Sequence, residues 1–211
     1  MRFFSFSEAA GGHPNEDYLA VRSHPEDGTT LLCALADGMG GQAGAERAAR
    51  LAVFLTMEIA EGLPIETLQD PGTWYQLVAS VDQAVCDDLS AGSTTLVALC
   101  ESGDHLCGAS CGDSAVVLFQ NGEATVLSDD HRPHNVIGSD EAIPEAFSSP
   151  LDGEWTLILM SDGVWKSVGF DEVSKMAAEK SGEDLILSLR KKAGERIYDD
   201  FSMIVVHQAG G

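Results

Sequence analysis

Residues 30–41 read Thr-Leu-Leu-Cys-Ala-Leu-Ala-Asp-Gly-Met-Gly-Gly. The apolar run up to Ala36 has the length and composition of a β-strand, and it stops at an aspartate followed by glycine. Past the glycine-rich turn at 38–41, apolar residues recur at Ala48, Leu51, Ala52, Leu55 and Ile59. That spacing draws one face of a helix. A strand, a carboxylate, a tight turn and a helix therefore follow one another within about thirty residues.

Upstream, residues 17–23 alternate as a second strand, and the aromatic start at Phe3, Phe4 and Phe6 reads as a first one. No long apolar stretch or small-residue cleavage site accompanies that start, so no signal peptide is expected. Downstream, the helix ends near Leu63-Pro64. A second helix is expected over 73–89, capped by Thr73 after a Pro71-Gly72 break, with Leu77, Val78, Val81 and Val85 on one side.

Strands are then expected at 93–100, 105–111, 115–120 and 124–127, with Asn121-Gly122 as a hairpin turn. Residues 129–150 are polar, carry Pro133, Pro144 and Pro150, and read as a long surface loop. A strand at 155–160, helices near 171–179 and 183–193, and a closing strand at 201–207 complete the pattern. Runs of strands with helices grouped between them indicate an α+β layered fold with mostly antiparallel sheets. The 211 residues are expected to form one domain, 1–211.

The hydrophobic content of 44% suffices for a substantial core, and no apolar run approaches the roughly 20 residues of a membrane span. A formal charge of −22 would repel polyphosphates, which argues against nucleic acid as a partner. The five cysteines are odd in number and lack a C-x-x-C pair, so a reducing, cytoplasmic setting is expected. Strand alternation would put Cys107 and Cys111 on one buried face, which favours packing over metal binding.

Packing alone does not explain where the aspartates stand. Apolar strands run into Asp37-Gly38, Asp113-Ser114 and Asp162-Gly163, Asp199-Asp200 precedes the last strand, and Asn15-Glu16-Asp17 opens the second. A lone Asp-Gly is a turn. Repeated carboxylates at strand ends repel one another unless a cation lies among them, and oxygen ligands without His or Cys select Mg²⁺, Mn²⁺ or Ca²⁺. No EF-hand spacing is present, and Gly38-Met39-Gly40-Gly41 lacks the Gly-Lys-Ser/Thr ending of a phosphate-binding loop.

Six strings in order resemble the metal-dependent Ser/Thr protein phosphatases (the PPM, or type-2C, family), and its compact bacterial members in particular. They are residues 15–17, 36–41, 92–96, 111–114, 161–165 and 199–202, which together span almost the whole chain. The resemblance implies a four-layer αββα sandwich with two central antiparallel sheets flanked by helix pairs. It implies hydrolysis of phosphoserine and phosphothreonine on proteins by water activated between two Mn²⁺ or Mg²⁺ ions, in opposition to a Ser/Thr kinase, with no membrane partner.

By position, Asp37 would bridge both ions, the Gly38 carbonyl would hold the second, and Asp162 and Asp199 would hold the first. Asp113 with Asp162 would form a weaker third site, and Glu16 and Asp17 would act through bound water. Thr94 and Thr95 receive no chemistry. The family's phosphate-gripping arginine is replaced by Gly12, so His13 and Arg132 are the candidates for that contact. This loss keeps open an alternative, a weak or inactive regulatory or phosphopeptide-binding module on the same fold. Asp200 and Ala115 also depart from the family pattern, which usually has Asn and Arg there.

Overall fold

The computed structural model describes residues 2–128 and 135–208. In chain order these form β1 (Arg2–Glu8), β2 (Asp17–Ser23), β3 (Leu31–Asp37), α1 (Ala45–Glu61), α2 (Ile65–Leu68), α3 (Pro71–Cys86), β4 (Leu96–Glu101) and β5 (His105–Cys111). There follow β6 (Ala115–Gln120), β7 (Glu123–Val126), β8 (Glu145–Pro150), β9 (Trp155–Met160), α4 (Asp162–Val168), α5 (Phe170–Glu179), α6 (Gly182–Lys192) and β10 (Phe201–His207). One antiparallel sheet runs β1-β10-β9-β6-β7 and the other β2-β3-β4-β5-β8.

The period-2 alternation of each central strand splits its side chains between two cores. On β3, Leu32, Ala34 and Ala36 face α1 and α3, while Leu31, Cys33 and Leu35 face the other sheet. On β9, Leu157 and Leu159 join that inter-sheet core, and Ile158 and Met160 face α4, α5 and α6. Three cores between four layers give the αββα sandwich that the sequence resemblance implies.

Helix α1 buries Ala48, Ala49, Ala52, Val53, Met57 and Ala60, with Leu51, Leu55 and Ile59 packed along its flank. The buried stripe is thus rotated from the expected one toward alanines, whose small side chains let the helix axis approach the sheet. Helix α3 begins earlier than expected. Asp70, not Thr73, is its cap and accepts the Gly72 N–H at 2.9 Å, and Pro71 is the first helical residue, where its missing N–H costs nothing.

Of the surface loop expected at 129–150, residues 129–134 lie outside the described residues, and 135–150 differ most from that reading. Ile137 is fully buried and bridges Thr94, and Asp82 on α3 accepts the N–H groups of Gly138, Ser139 and Ala142. Residues 145–150 form edge strand β8 against β5. Of its side chains only Phe147 is buried, so the apolar alternation that announces a strand is absent. Cys107 and Cys111 lie in the same helix-side core, as alternation requires. No helix among the described residues is long and apolar enough to cross a membrane.

Candidate functional site

Asp17 and Asp37 are direct cross-strand partners at the same end of β2 and β3. The backbone around Asp37 is fastened from the two residues that precede β4: Thr95 N–H and Thr94 Oγ1 each donate to the Asp37 carbonyl at 2.8 Å, and Asp37 N–H donates to Thr95 Oγ1 at 3.0 Å. Thr95 Oγ1 also lies 2.7 Å from Ser114 Oγ, which ties Asp37 to the connection that carries Asp113. Gly38 donates its N–H to the Glu16 carbonyl at 3.1 Å. A Cβ on Gly38 would stand 2.7 Å from the Ala45 carbonyl oxygen and 2.8 Å from that of Glu16, so only glycine lets the chain turn here.

The second sheet delivers Asp162 and Asp199. Ser161 N–H donates to the Ser202 carbonyl at 3.0 Å, Ser202 N–H donates to Ser161 Oγ at 3.1 Å, and Ser161 Oγ donates to the Asp200 carbonyl at 3.2 Å. Gly163 packs so tightly on Asp200 that a Cβ would lie 2.1 Å from its carbonyl oxygen. Asp200 is buried and structural: its carboxylate accepts the Ala10 N–H at 2.7 Å and the Glu16 N–H at 2.6 Å, pinning the β1–β2 loop. Asn15 supports the same loop, accepting Asp17 N–H at 2.9 Å and donating to Ser7 Oγ at 2.7 Å.

Electrostatics record how closely these groups meet. Burial, and then the charges of Asp17, Asp162, Asp199 and Asp113, push the Asp37 carboxyl up to about 10. Burial pushes Asp17 up to about 7 despite the nearby hydroxyls of Ser202 and Ser161, and neither of its carboxylate oxygens reaches hydrogen-bond geometry. Asp162 is raised, chiefly by burial, with Lys166 opposing the rise, and its Oδ1 is buried without a partner.

Orphaned, crowded carboxylate oxygens of this kind fit hard divalent cations, which would neutralise them and supply the missing partners. Yet among the described residues no group of three His, Cys, Asp or Glu side chains is already closed into a cage. One reason is visible: Lys166, one turn into α4, places its ammonium against Asp162 Oδ2 and 3.2 Å from Asp113 Oδ2. Burial opposes the charge on Lys166, but the bonds and charges of Asp162 and Asp113 raise its pKa on balance.

Asp37, Asp17, Asp162, Asp199 and Asp113 are therefore brought to one edge of the sandwich, with Asp113 and Asp199 on its exposed rim. Glu16 is half-buried and reaches toward Gly40. His13 is exposed on the β1–β2 loop, and Arg132 lies outside the described residues. Sequence reasoning missed Lys166, the Thr95–Ser114 tie and the bracing by Asp200. The signal for Lys166 was its i+4 spacing from Asp162, legible only once residues 162–168 are recognised as a helix.

A family model described as "Protein phosphatase 2C" matches residues 7–197. "Probable protein phosphatase 2C 10" of Arabidopsis thaliana is 25% identical over 96% of this chain and 86% of its own length. "Serine/threonine phosphatase stp" of Listeria monocytogenes is 26% identical over 80% of this chain and 79% of its own. Among solved structures, the catalytic domain of the serine threonine protein phosphatase PstP in complex with 2 manganese ions superposes with a TM-score of 0.75 and 22% identity, covering 97% of this chain and 96% of that one.

Proposed function

The chain belongs to the protein phosphatase 2C family, and from that membership we propose that it removes phosphate from phosphoserine and phosphothreonine side chains of proteins, using divalent cations held by the strand-end carboxylates. The observation that carries this reading is Asp37: fastened by Thr94 and Thr95, with its pKa pushed up to about 10 first by burial and then by the charges of four other carboxylates that meet it at one sheet edge. Several carboxylates gathered at one sheet edge, with the central one withdrawn from water, are a poor design for packing and a good one for holding cations.

Asp37, the Gly38 carbonyl, Asp162 and Asp199 would hold the ions, which we take to be Mn²⁺ or Mg²⁺, and Asp17 and Glu16 would accept hydrogen bonds from water around them. A pair of such ions lowers the pKa of bound water and neutralises phosphoryl oxygens. The chain's own contribution is positional. The Thr95–Ser114 tie fixes the two sides of the β3–β4–β5 edge, Ser161 and Ser202 fix Asp162 against Asp199, and Asp200 holds the loop bearing Glu16.

His13 on that loop and Arg132 are our candidates for gripping the substrate phosphate, which a charge-assisted contact would strengthen. The thiols Cys33, Cys86, Cys100 and Cys107 suit a reducing compartment, and we place the protein in the cytoplasm, opposing a Ser/Thr kinase.

The test is hydrolysis of p-nitrophenyl phosphate and of a phosphothreonine peptide with Mn²⁺, by the protein and by its Asp37→Asn and Asp162→Asn variants. Turnover should require Mn²⁺ and fall by about 10²-fold or more in each variant. Metal binding without turnover would identify a binding module. Rates unchanged by a chelator would end the metal-based reading.

A further inference from the structure

Three features converge on Lys166. Its ammonium contacts Asp162 Oδ2 and stands 3.2 Å from Asp113 Oδ2, so one cation bridges two carboxylates that come from different strand ends. It also lies 5.2 Å from the centre of the Trp165 ring, within reach of a cation–π attraction. Trp165 in turn donates its Nε1–H to the Asp113 carbonyl at 2.9 Å and stacks on Phe170 at 5.3 Å, so the platform beneath the ammonium is tied to the residue the ammonium binds.

A lysine on a chain with 34 acidic residues will always find some carboxylate, and an exposed pair of that kind carries little meaning. The Asp162 end is different. Its side chain is only 12% exposed, and its two oxygens are divided: Oδ2 goes to the lysine, while Oδ1 is buried and without a partner. One oxygen is already neutralised from within the chain, and the other is left for an ion.

We infer that Lys166 is a resident cation of the carboxylate cluster, filling the gap between Asp113 and Asp162 and closing that pair to a divalent ion. A divalent cation bridging both carboxylates at the 2.0–2.6 Å or so of hard-ion coordination would need the volume the ammonium occupies. Asp113 then serves as counter-ion to Lys166 and not as a metal ligand, and the cluster takes one ion fewer than its carboxylates allow. The inference rests on the proposal that Asp37, Asp162 and Asp199 hold ions.

The experiment is a count of bound Mn²⁺ by calorimetric titration and electron paramagnetic resonance. It is run on the intact chain, on Lys166→Gln, on Lys166→Arg, and on Lys166→Gln combined with Asp113→Asn, each checked for folding by circular dichroism. The unaltered chain and Lys166→Arg should take two ions. Lys166→Gln should take a further, weaker one, and the double variant should return to two. The same count in Lys166→Gln as in the unaltered chain overturns the inference and leaves the metal reading standing, as does a third ion bound by the unaltered chain. An unaltered chain that binds no Mn²⁺ overturns both.

Discussion

Glu101 shows what burial alone does to a carboxylate away from the site. It is fully buried at the end of β4 opposite the site. Oε1 accepts the Gly103 N–H at 2.7 Å, while Oε2 has no partner. Burial pushes its pKa from 4.5 up to about 7. An acid whose pKa rises on folding stabilises the fold while it is protonated. That stability is present below the unfolded value, drains away as pH climbs to about 7, and stays lost above it. The loss amounts to about 3 kcal/mol at most. Glu101→Gln should therefore flatten the pH profile between about 5 and 8 and stabilise the protein by roughly 1–3 kcal/mol at pH 8.5. Urea unfolding with chelator across that range checks it, and a variant profile parallel to that of the parent would refute it. The same scale explains what Gly12 conceals. Read as a sequence, it is an empty place for a phosphate-gripping arginine. In the fold its φ is +95°, and a side chain there costs about 1–2 kcal/mol. Restoring the arginine would thus strain the loop as well as refill the position, and no string of letters displays a dihedral angle.

At the level of elements, the site depends on strand ends tied across the sheet, and Thr95 is the knot. Its Oγ1 accepts from Asp37 N–H and meets Ser114 Oγ in a buried setting. Thr95→Val keeps the shape and removes both bonds, so it should cost about 1–3 kcal/mol and weaken Mn²⁺ binding, whereas Thr95→Ser should restore both. Thermal unfolding and metal titration read the two effects. If Mn²⁺ affinity is unchanged in a destabilised Thr95→Val, the tie serves the fold alone. The sequence made the strands that end in aspartate legible because each is apolar throughout and stops abruptly. It did not make Thr95 legible, since a threonine leading into a strand is ordinary and its partner lies 19 residues away. Helix α4 was hidden for a related reason: it begins at Asp162, where β9 has just ended, so no linker separates the two periods. Edge strand β8 was hidden because its outer face is polar. The carboxylates themselves were visible from their positions, but the lysine among them was not, because only the unrecognised helix puts residues 162 and 166 on one face.

For the whole molecule, the arrangement joins two sheets through mutually repelling ends. Asp17 and Asp37 belong to one sheet, Asp162 and Asp199 flank strands β9 and β10 of the other, and the inter-sheet core of Leu35, Leu159 and Ile204 holds them together against that repulsion. A divalent ion that binds only the folded chain adds stability as RT ln(1 + [L]/Kd), about 2.7 kcal/mol at a hundredfold excess over Kd. For a chain of this size that corresponds to a Tm higher by about 5–10 °C in saturating Mn²⁺ than in chelator. Net charge offers a rival explanation, since a chain at −22 gains some stability from any salt through screening. Asp37→Asn separates the two. Folding raises the Asp37 pKa, so without a cation the fold must protonate that carboxyl near neutral pH; the neutral amide avoids that cost, and the variant should show a higher Tm in chelator and lose most of the Mn²⁺ increment, while its general response to NaCl stays as it was. If NaCl at matched ionic strength reproduced the Mn²⁺ shift, or if Asp37→Asn kept it in full, the cation would be acting on the acidic surface at large, and the meeting of the two sheets at one edge would have lost its purpose.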